Sequence, residues 1–278
     1  AYEHVSELKP PRASKALAEH WDMAVMSKTL ATIEVHADFP YELSEAKLGN
    51  IFTEEAYAFF QKLQFKNLLS KFDVTAPANQ VEDGFEQITD YKKAEKVLDQ
   101  AKESTCVGAV IFQNTENVLP LFANEAAIGG IGLCFDEEHA YCIEVTEQIT
   151  KEFLLEKLSK LNESCGRFVM FDIKEAMKWL PIKNQKHCFD ATVAAYLLNP
   201  LKNDYTYEDV AREQLNIVIE EKSESYVKVC YEAYTAFKGS DLLYKKLEET
   251  QMLHLFEDIE MPLVFTLYDM ERNGIRAE

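Results

Sequence analysis

The sequence predicts a layered α/β domain with a mixed sheet, preceded by a helical extension. Three observations predict it. Cys106-Val107-Gly108-Ala109-Val110-Ile111-Phe112 is a short apolar run of the kind that forms a buried strand. Two more apolar segments, Ala127 to Phe135 and His139 to Val145, flank Asp136-Glu137-Glu138 and read as a hairpin, which makes three strands in succession. Beyond Thr150 apolar residues recur every three or four positions, interrupted by one further strand at Arg167-Phe168-Val169-Met170-Phe171.

In chain order, Pro10-Pro11 precedes a helical run from about Ala13 to Thr32, with Leu17, Ala24, Val25, Leu30 and Ala31 available for an apolar face. Ile33 to Asn50 has a proline, several acids and little periodicity, and reads as a linker. A second helix is expected near Thr53, a suitable N-cap, with Glu54 and Glu55 favouring the dipole of its first turn. The polar, acidic stretch from Asp73 to Asp90 is the best internal boundary, and the main domain follows it with a helix at about Asp90 to Lys102. After Thr150, Phe153, Leu154, Leu158 and Leu161 share one helical side. Further helices are expected at Ile173 to Leu180, Ala191 to Leu198, Tyr207 to Gln214, Tyr226 to Thr250 and Met252 to Asn273. Gly239-Ser240 is expected to break the fourth of these, Pro262 to bend or restart the fifth, and Gly274 to cap it.

Composition narrows the class. At 278 residues the chain has room for about two domains and for a core that needs neither disulfides nor a structural metal. Hydrophobic residues at 47% against 28% charged exclude disordered and collagen-like readings. No apolar run approaches the roughly 20 residues that span a bilayer, and Ala1-Tyr2-Glu3-His4 has none of the features of a signal peptide. The expectation is a soluble, cytoplasmic protein without membrane contact. The chain reads as an excerpt, since it has no initiating Met. Six cysteines lie in apolar segments without a C-x-x-C pair, as buried thiols in a reducing compartment would. A net charge of −19 opposes non-specific attraction to nucleic acid and to anionic membranes. Such a surface suits nucleic-acid work only if a basic groove lies elsewhere in a larger protein.

Three segments carry a family resemblance. Cys188-Phe189-Asp190-Ala191-Thr192-Val193-Ala194-Ala195-Tyr196-Leu197-Leu198-Asn199-Pro200, with Tyr205-Thr206-Tyr207-Glu208-Asp209-Val210-Ala211, resembles a passage in the 3′-5′ exonuclease-like domain of bacterial family A DNA polymerases. Met261-Pro262-Leu263-Val264-Phe265-Thr266-Leu267-Tyr268-Asp269-Met270-Glu271-Arg272-Asn273-Gly274-Ile275-Arg276 resembles the entry into that family's polymerase domain, and Met26 to Ile33 the stretch leaving its 5′-nuclease domain. The matches follow the family's order. They imply a ribonuclease H-like fold, with residues 1–85 a helical tail and linker after the 5′-nuclease domain, 86–250 the exonuclease-like domain, and 251–278 a helix leading into a polymerase domain that is absent.

The resemblance also implies where a nuclease site would stand. Active members hold two ions about 4 Å apart, which activate water and stabilise the leaving oxygen, and several converging carboxylates must surround them. In the family these are an Asp-x-Glu on the opening strand, the Asp of an Asn-x-x-x-Asp after the fourth strand and the Asp of a Tyr-x-x-x-Asp on a helix. In this chain Gln113 and Thr115 take the first two positions, or Asn114 and Glu116 if the register slips by one. Phe168 stands at the Asn, and Asp172 keeps the acid. The helical motif falls at Tyr226 to Cys230, so Cys230 replaces the last Asp, or at Tyr234 to Lys238, which puts a cation there. Two divalent ions 4 Å apart repel by about 16 kcal/mol at an effective dielectric of 20, while one carboxylate attracts each by roughly 8. Asp172 alone leaves nothing to offset stripping water from the ions. The former pocket is then expected to be filled by Phe168, Val229 and Cys230, with Asp172 at its edge.

Each position also has a plain structural reading. Asp172 suits the N-cap of a helix beginning at Ile173, and Asp190 the same role before Ala191. Asp241 suits a solvated face and Glu116 a loop, while Tyr226 shares helical spacing with Val229, Cys230, Ala233 and Phe237. No two histidines stand at ligand spacing, and neither a Gly-rich phosphate loop nor G-x-S-x-G occurs, so other enzyme classes find no support. The expected function is a degenerate exonuclease-like domain of a DNA polymerase acting in replication and repair, structural or DNA-positioning in role. No catalytic, metal or cofactor residues are expected in it, with Mg2+ confined to the polymerase domain. DNA would be reached through the full-length protein and bound weakly or not at all by this stretch, which would contact the polymerase domain of its own chain. The rival is an active proofreading exonuclease that uses Asp172 with relocated carboxylates such as Glu116 and Asp241. A stand-alone RNA-trimming nuclease would need the same missing acids.

Overall fold

The computed structural model describes residues 2–7, 9–36, 44, 46–47, 49, 51–63, 65, 68, 72, 80–114, 127–219, 223–274 and 276. The chain divides into two units, 1–73 and 74–278.

The first unit is helical where described. A 3-10 turn, Tyr2–Glu7, leads to α1 (Pro11–Glu19), which opens on a proline whose missing N–H costs a first turn nothing. The single helix expected from Ala13 to Thr32 is two: His20, at φ −131° and ψ 42°, separates α1 from α2 (Trp21–Ala31). Neither buries a residue, so no packing enforces continuity across the joint. Most of the expected linker lies outside the described residues. In α3 (Glu54–Lys62) the hydroxyl of Thr53 accepts the N–H of Ala56 at 3.2 Å, the expected cap. Buried Phe72 meets Phe52, Tyr57 and Phe60 with ring centroids 5.1 to 5.8 Å away.

The second unit is built on six strands: β1 (Phe85–Ile88), β2 (Cys106–Gln113), β3 (Ile128–Cys134), β4 (Ala140–Glu144), β5 (Arg167–Met170) and β6 (Cys188–Asp190). Their order is β1-β4-β3-β2-β5-β6. The β2–β3 and β3–β4 pairs are antiparallel, and β1–β4, β2–β5 and β5–β6 are parallel, so the sheet is mixed as expected. Two strands are not evident in the sequence. β1 lies in the stretch read as a polar boundary, and three-residue β6 is too short to show a period.

Helices α4 (Tyr91–Ala101), α5 (Lys151–Ser164), α6 (Ile173–Ala176), α7 (Ala191–Leu198), α8 (Tyr207–Leu215) and α9 (Ser225–Glu249) surround the sheet. Side chains of Asp90, Thr150 and Thr206 accept N–H groups of the first turns of α4, α5 and α8 at 2.8 to 3.3 Å. Such caps fix where each helix begins, typically for about 1 kcal/mol each. On α5, Leu154, Leu158 and Leu161 are fully buried, which contributes roughly 1.5–3 kcal/mol apiece.

Helix α9 lies directly on the sheet because two strand positions are glycine. A Cβ on Gly108 would stand 2.3 Å from the carbonyl oxygen of Ala233, and one on Gly132 would stand 2.8 Å from Cγ1 of Val229. The break expected at Gly239-Ser240 does not occur, and α9 is continuous there. Gly239 is buried opposite Val210, where a Cβ would come within 3.3 Å, so its small size serves the packing of α8 on α9.

The C-terminal segment belongs to this same unit rather than to a separate one. A helical turn at Leu253–Leu255 passes through a π-helical stretch, Phe256–Glu260, into α10 (Met261–Asn273). Phe256, Met261, Val264 and Phe265 are buried in the main core. Pro262 sits in the first turn of α10, and Gly274 caps it at φ 65°, its N–H on the carbonyl of Met270 at 3.0 Å. The boundary between units falls at 73/74, not at 85/86. All six cysteines are free and five are buried, with Cys106 partly so. Among the described residues no helix is long and apolar enough to cross a membrane.

Candidate functional site

Where β2 and β5 end, the sheet opens into a cleft of about 360 Å³. Gln113 enters from β2, Asp172 from the turn after β5, Glu175 from α6, Trp179 from beyond α6, and Glu232 from α9. A register shift between Phe112 and Gln113 in the β2–β3 ladder re-aims the last residue of the strand, as bulges near sites do.

Asp172 is held in a left-handed conformation, φ 52° and ψ 67°, uncommon for any residue but glycine. Its backbone N–H donates to the hydroxyl of Thr192 at 3.2 Å, and its Oδ1 accepts the N–H of Glu175 at 3.1 Å. It is therefore the N-cap of α6. Asp190 lies beneath, 2% exposed, and joins two helix starts. Its Oδ1 accepts the N–H groups of Thr192 and Val193 at 2.9 and 3.2 Å, and its Oδ2 accepts that of Ile173 at 2.8 Å. Burial raises its carboxyl to about 6, against the opposing pull of those three donors.

Glu232 is the residue that sequence reasoning missed. Burial, and next the negative charge of Glu208, push its carboxyl up to about 7. Its signal lies in the spacing on α9, where it is an acid three residues after buried Val229 and four before buried Ala236. Cys230, two positions away, points elsewhere. It is fully buried, its thiol donates to the carbonyl of Ala140 at 3.5 Å, and it lies in a core cluster with Val229 and Cys142. Burial raises that thiol to about 12.

The remaining sequence positions scatter. Phe168 pairs in register with Val107, one position out of phase with Gly108, so its ring faces away from α9 and lies in the core. The expectation that Phe168, Val229 and Cys230 fill the cleft is corrected: none of them lines it. Tyr226 packs, half-buried, against the cluster that holds Cys230. In the rival register, Lys238 pairs with Glu137 instead of entering the cleft. Asp241 pairs with Arg167 at 2.7 Å, at the far end of β5 from Asp172. The backbone N–H of Asn114 donates to the carbonyl of Ala127 at 2.9 Å. Thr115 and Glu116 lie outside the described residues.

A two-metal centre needs several carboxylates aimed at one point. Gln113 supplies an amide, Asp172 caps a helix, Glu175 pairs with Lys178, and Glu232 resists ionisation. Among the described residues no three His, Cys, Asp or Glu side chains gather closely enough to hold a metal ion. Among the described residues, the donors that line the cleft do not gather into such a set.

No protein-family model matches the chain. DNA polymerase I of Bacillus subtilis is 27% identical over 301 residues, spanning 99% of this chain and 32% of that protein. That of Caldicellulosiruptor bescii is 25% identical over 285 residues, spanning 100% and 30%. The chain is homologous to bacterial DNA polymerase I. It spans about a third of the length of these polymerase I relatives and corresponds to their exonuclease region. Among solved structures, the POL domain of Pol1 from M. smegmatis, in complex with DNA primer-template and dNTP, aligns at a TM-score of 0.54 and 18% identity, over 68% of this chain and 32% of that one. Brucella melitensis NrnC bound to pGG aligns at 0.50 and 14%, over 68% and 93%. The fold is the ribonuclease H-like one.

The raised carboxyl of Glu232 gives a sign to the pH dependence. A folded-state pKa above the unfolded one stabilises the fold at low pH, and the benefit is lost as pH rises from about 4.5 to 7. Glu232→Gln is therefore expected to leave stability unchanged at pH 4 and to raise it by about 1–3 kcal/mol at pH 8. Urea unfolding of both proteins at the two pH values checks this, the shared contribution of Asp190 cancelling in the difference.

Proposed function

We propose that this chain is a ribonuclease H-like domain of a DNA polymerase I that has lost its 3′-5′ exonuclease centre and serves a structural role. It braces and spaces the polymerase domain while that domain works on DNA in replication and repair, and any Mg2+ belongs there. One observation carries this reading: among the described residues the cleft offers an amide, a capping aspartate, a glutamate paired with lysine and a glutamate whose carboxyl is raised by burial, rather than a converging anionic cage. A net charge of −19 supports weak, salt-sensitive contact with DNA by this stretch alone.

Glu232 favours a second reading, a working exonuclease whose lost helical aspartate has been replaced by a relocated carboxylate. Asp241 has no part in it, since it lies at the other end of β5. Incubation with end-labelled single-stranded DNA and Mg2+ at pH 8 separates the two. Shortening no faster than in EDTA is the expected result. Metal-dependent shortening abolished by Glu232→Gln would establish the second reading instead.

A further inference from the structure

The cleft at the ends of β2 and β5 is anionic without being a metal site. Its volume, about 360 Å³, suits a compact ligand. Among the described residues no lysine, arginine or histidine lines it, whereas Asp172, Glu175 and Glu232 do. The first two are partly engaged. Oδ1 of Asp172 caps α6 and Oε2 of Glu175 accepts from Lys178, which leaves Oδ2 of Asp172 and Oε1 of Glu175 without a donor among the described residues. Lys174, the other cation on α6, is turned away to Glu271 at 2.7 Å. Glu232 differs from both. It is largely buried, meets neither a donor nor a cation among the described residues, and has a second acid, Glu208, near it. A buried acceptor left without a partner costs about 1–3 kcal/mol, which a ligand carrying N–H groups recovers. Trp179 stands at the same cleft, and no cation among the described residues lies over its ring.

We infer that this cleft binds a guanidinium group, either of a small free ligand or of an arginine side chain in a peptide. The inference rests on the reading that the cleft holds no pair of metal ions. Charge sets the sign of the ligand: an anion meets three carboxylates with no lining cation, and a neutral group leaves Glu232 uncompensated. Among cations, a metal ion or an ammonium concentrates its charge at a point and needs acceptors that converge on it. These acceptors do not gather that closely. A guanidinium spreads five donors around a plane, is weakly hydrated and stacks on aromatic faces, so dispersed acceptors beside a tryptophan match it. Its donors are shared between Glu232 and the free oxygens of Asp172 and Gln113 while its plane lies on Trp179. Lys178 already offsets Glu175, which sets the affinity low, with Kd on the order of 10⁻³ M.

Calorimetric titration of the chain at pH 8 in EDTA tests it, with methylguanidinium and with capped tripeptides that carry arginine, lysine or citrulline between two glycines. Binding of the guanidinium ligands at millimolar concentration is expected, with the lysine peptide and the uncharged citrulline peptide weaker by about tenfold or more. The tighter of methylguanidinium and the arginine peptide names the source of the group. Glu232→Gln and Trp179→Leu should each weaken binding at least about tenfold. Asp241→Asn, which removes an acid at the far end of β5, should leave it unchanged and so exclude attraction by net charge alone. The inference is overturned if neither guanidinium ligand binds in the millimolar range, if the lysine or citrulline peptide binds as tightly, if Glu232→Gln binds as the parent does, or if Asp241→Asn weakens binding as much. EDTA is present throughout, so such a failure strikes this inference alone, and loss of the exonuclease centre is judged by the DNA-shortening assay.

Discussion

Replacing Asp190 by alanine is expected to destabilise the second unit by about 3 kcal/mol, through two losses in one site. The carboxylate caps α7 through Thr192 and Val193, and a lost cap costs about 0.5–2 kcal/mol. It also accepts the N–H of Ile173, the first residue of α6, and a buried donor left without a partner costs about 1–3 kcal/mol more. Asp190→Asn keeps one oxygen but turns an amide NH2 toward one of those donors, so an intermediate loss is expected. Urea unfolding measures both variants, with Asp241→Ala as a control expected to lose less than about 0.5 kcal/mol, since Asp241 is exposed. A loss below about 1 kcal/mol for Asp190→Ala would remove Asp190 as the tie between the two helix starts.

Cys230→Asp distinguishes the two placements of the lost acid. If residue 230 faced the cleft, the substitution would restore a family ligand at little cost in stability. The geometry predicts the opposite, because Cys230 is fully buried and its thiol points at the carbonyl oxygen of Ala140. A carboxylate there faces an acceptor in an apolar cluster, so a loss of about 4 kcal/mol or more is expected, with no gain in DNA cleavage. Thermal or urea unfolding measures it. A stable Cys230→Asp protein that binds Mn2+ would show that residue 230, not Glu232, faces the cleft.

How far the sequence reveals these features follows from which interactions are local. The strand 106–113, the hairpin around Asp136 and the caps at Asp172 and Asp190 are legible because apolar runs and capping residues act within a few positions. β1 and β6 are not, since four and three residues carry no period and form strands only by pairing with β4 and β5. Gly239 reads as a break because its partner, Val210, is distant in sequence. The break at His20 is hidden for the converse reason: local propensity favours one helix, and neither α1 nor α2 has buried residues to hold it. The family's motifs place Gln113 and Asp172 at the ends of two strands, where the pairing holds them, and both line the cleft. The helical position failed because a shift of two residues on a helix rotates a side chain by about 200°. Tyr-x-x-x-Asp spacing alone cannot fix that phase when the motif is degraded. The close approach of α9 at Gly108 and Gly132 fixes it instead, turning Cys230 into the core and Glu232 into the cleft.

The cation capacity of that cleft is the central quantity, and titration with Mn2+ at pH 7.5, read from the paramagnetic resonance of the free ion, measures it directly. The predicted result is weak, unsaturated uptake at millimolar concentration, identical in the parent and in Asp172→Asn, as an acidic surface of net charge −19 would give. Two ions bound per chain at micromolar concentration, and released by Asp172→Asn and by Glu232→Gln, would contradict the account.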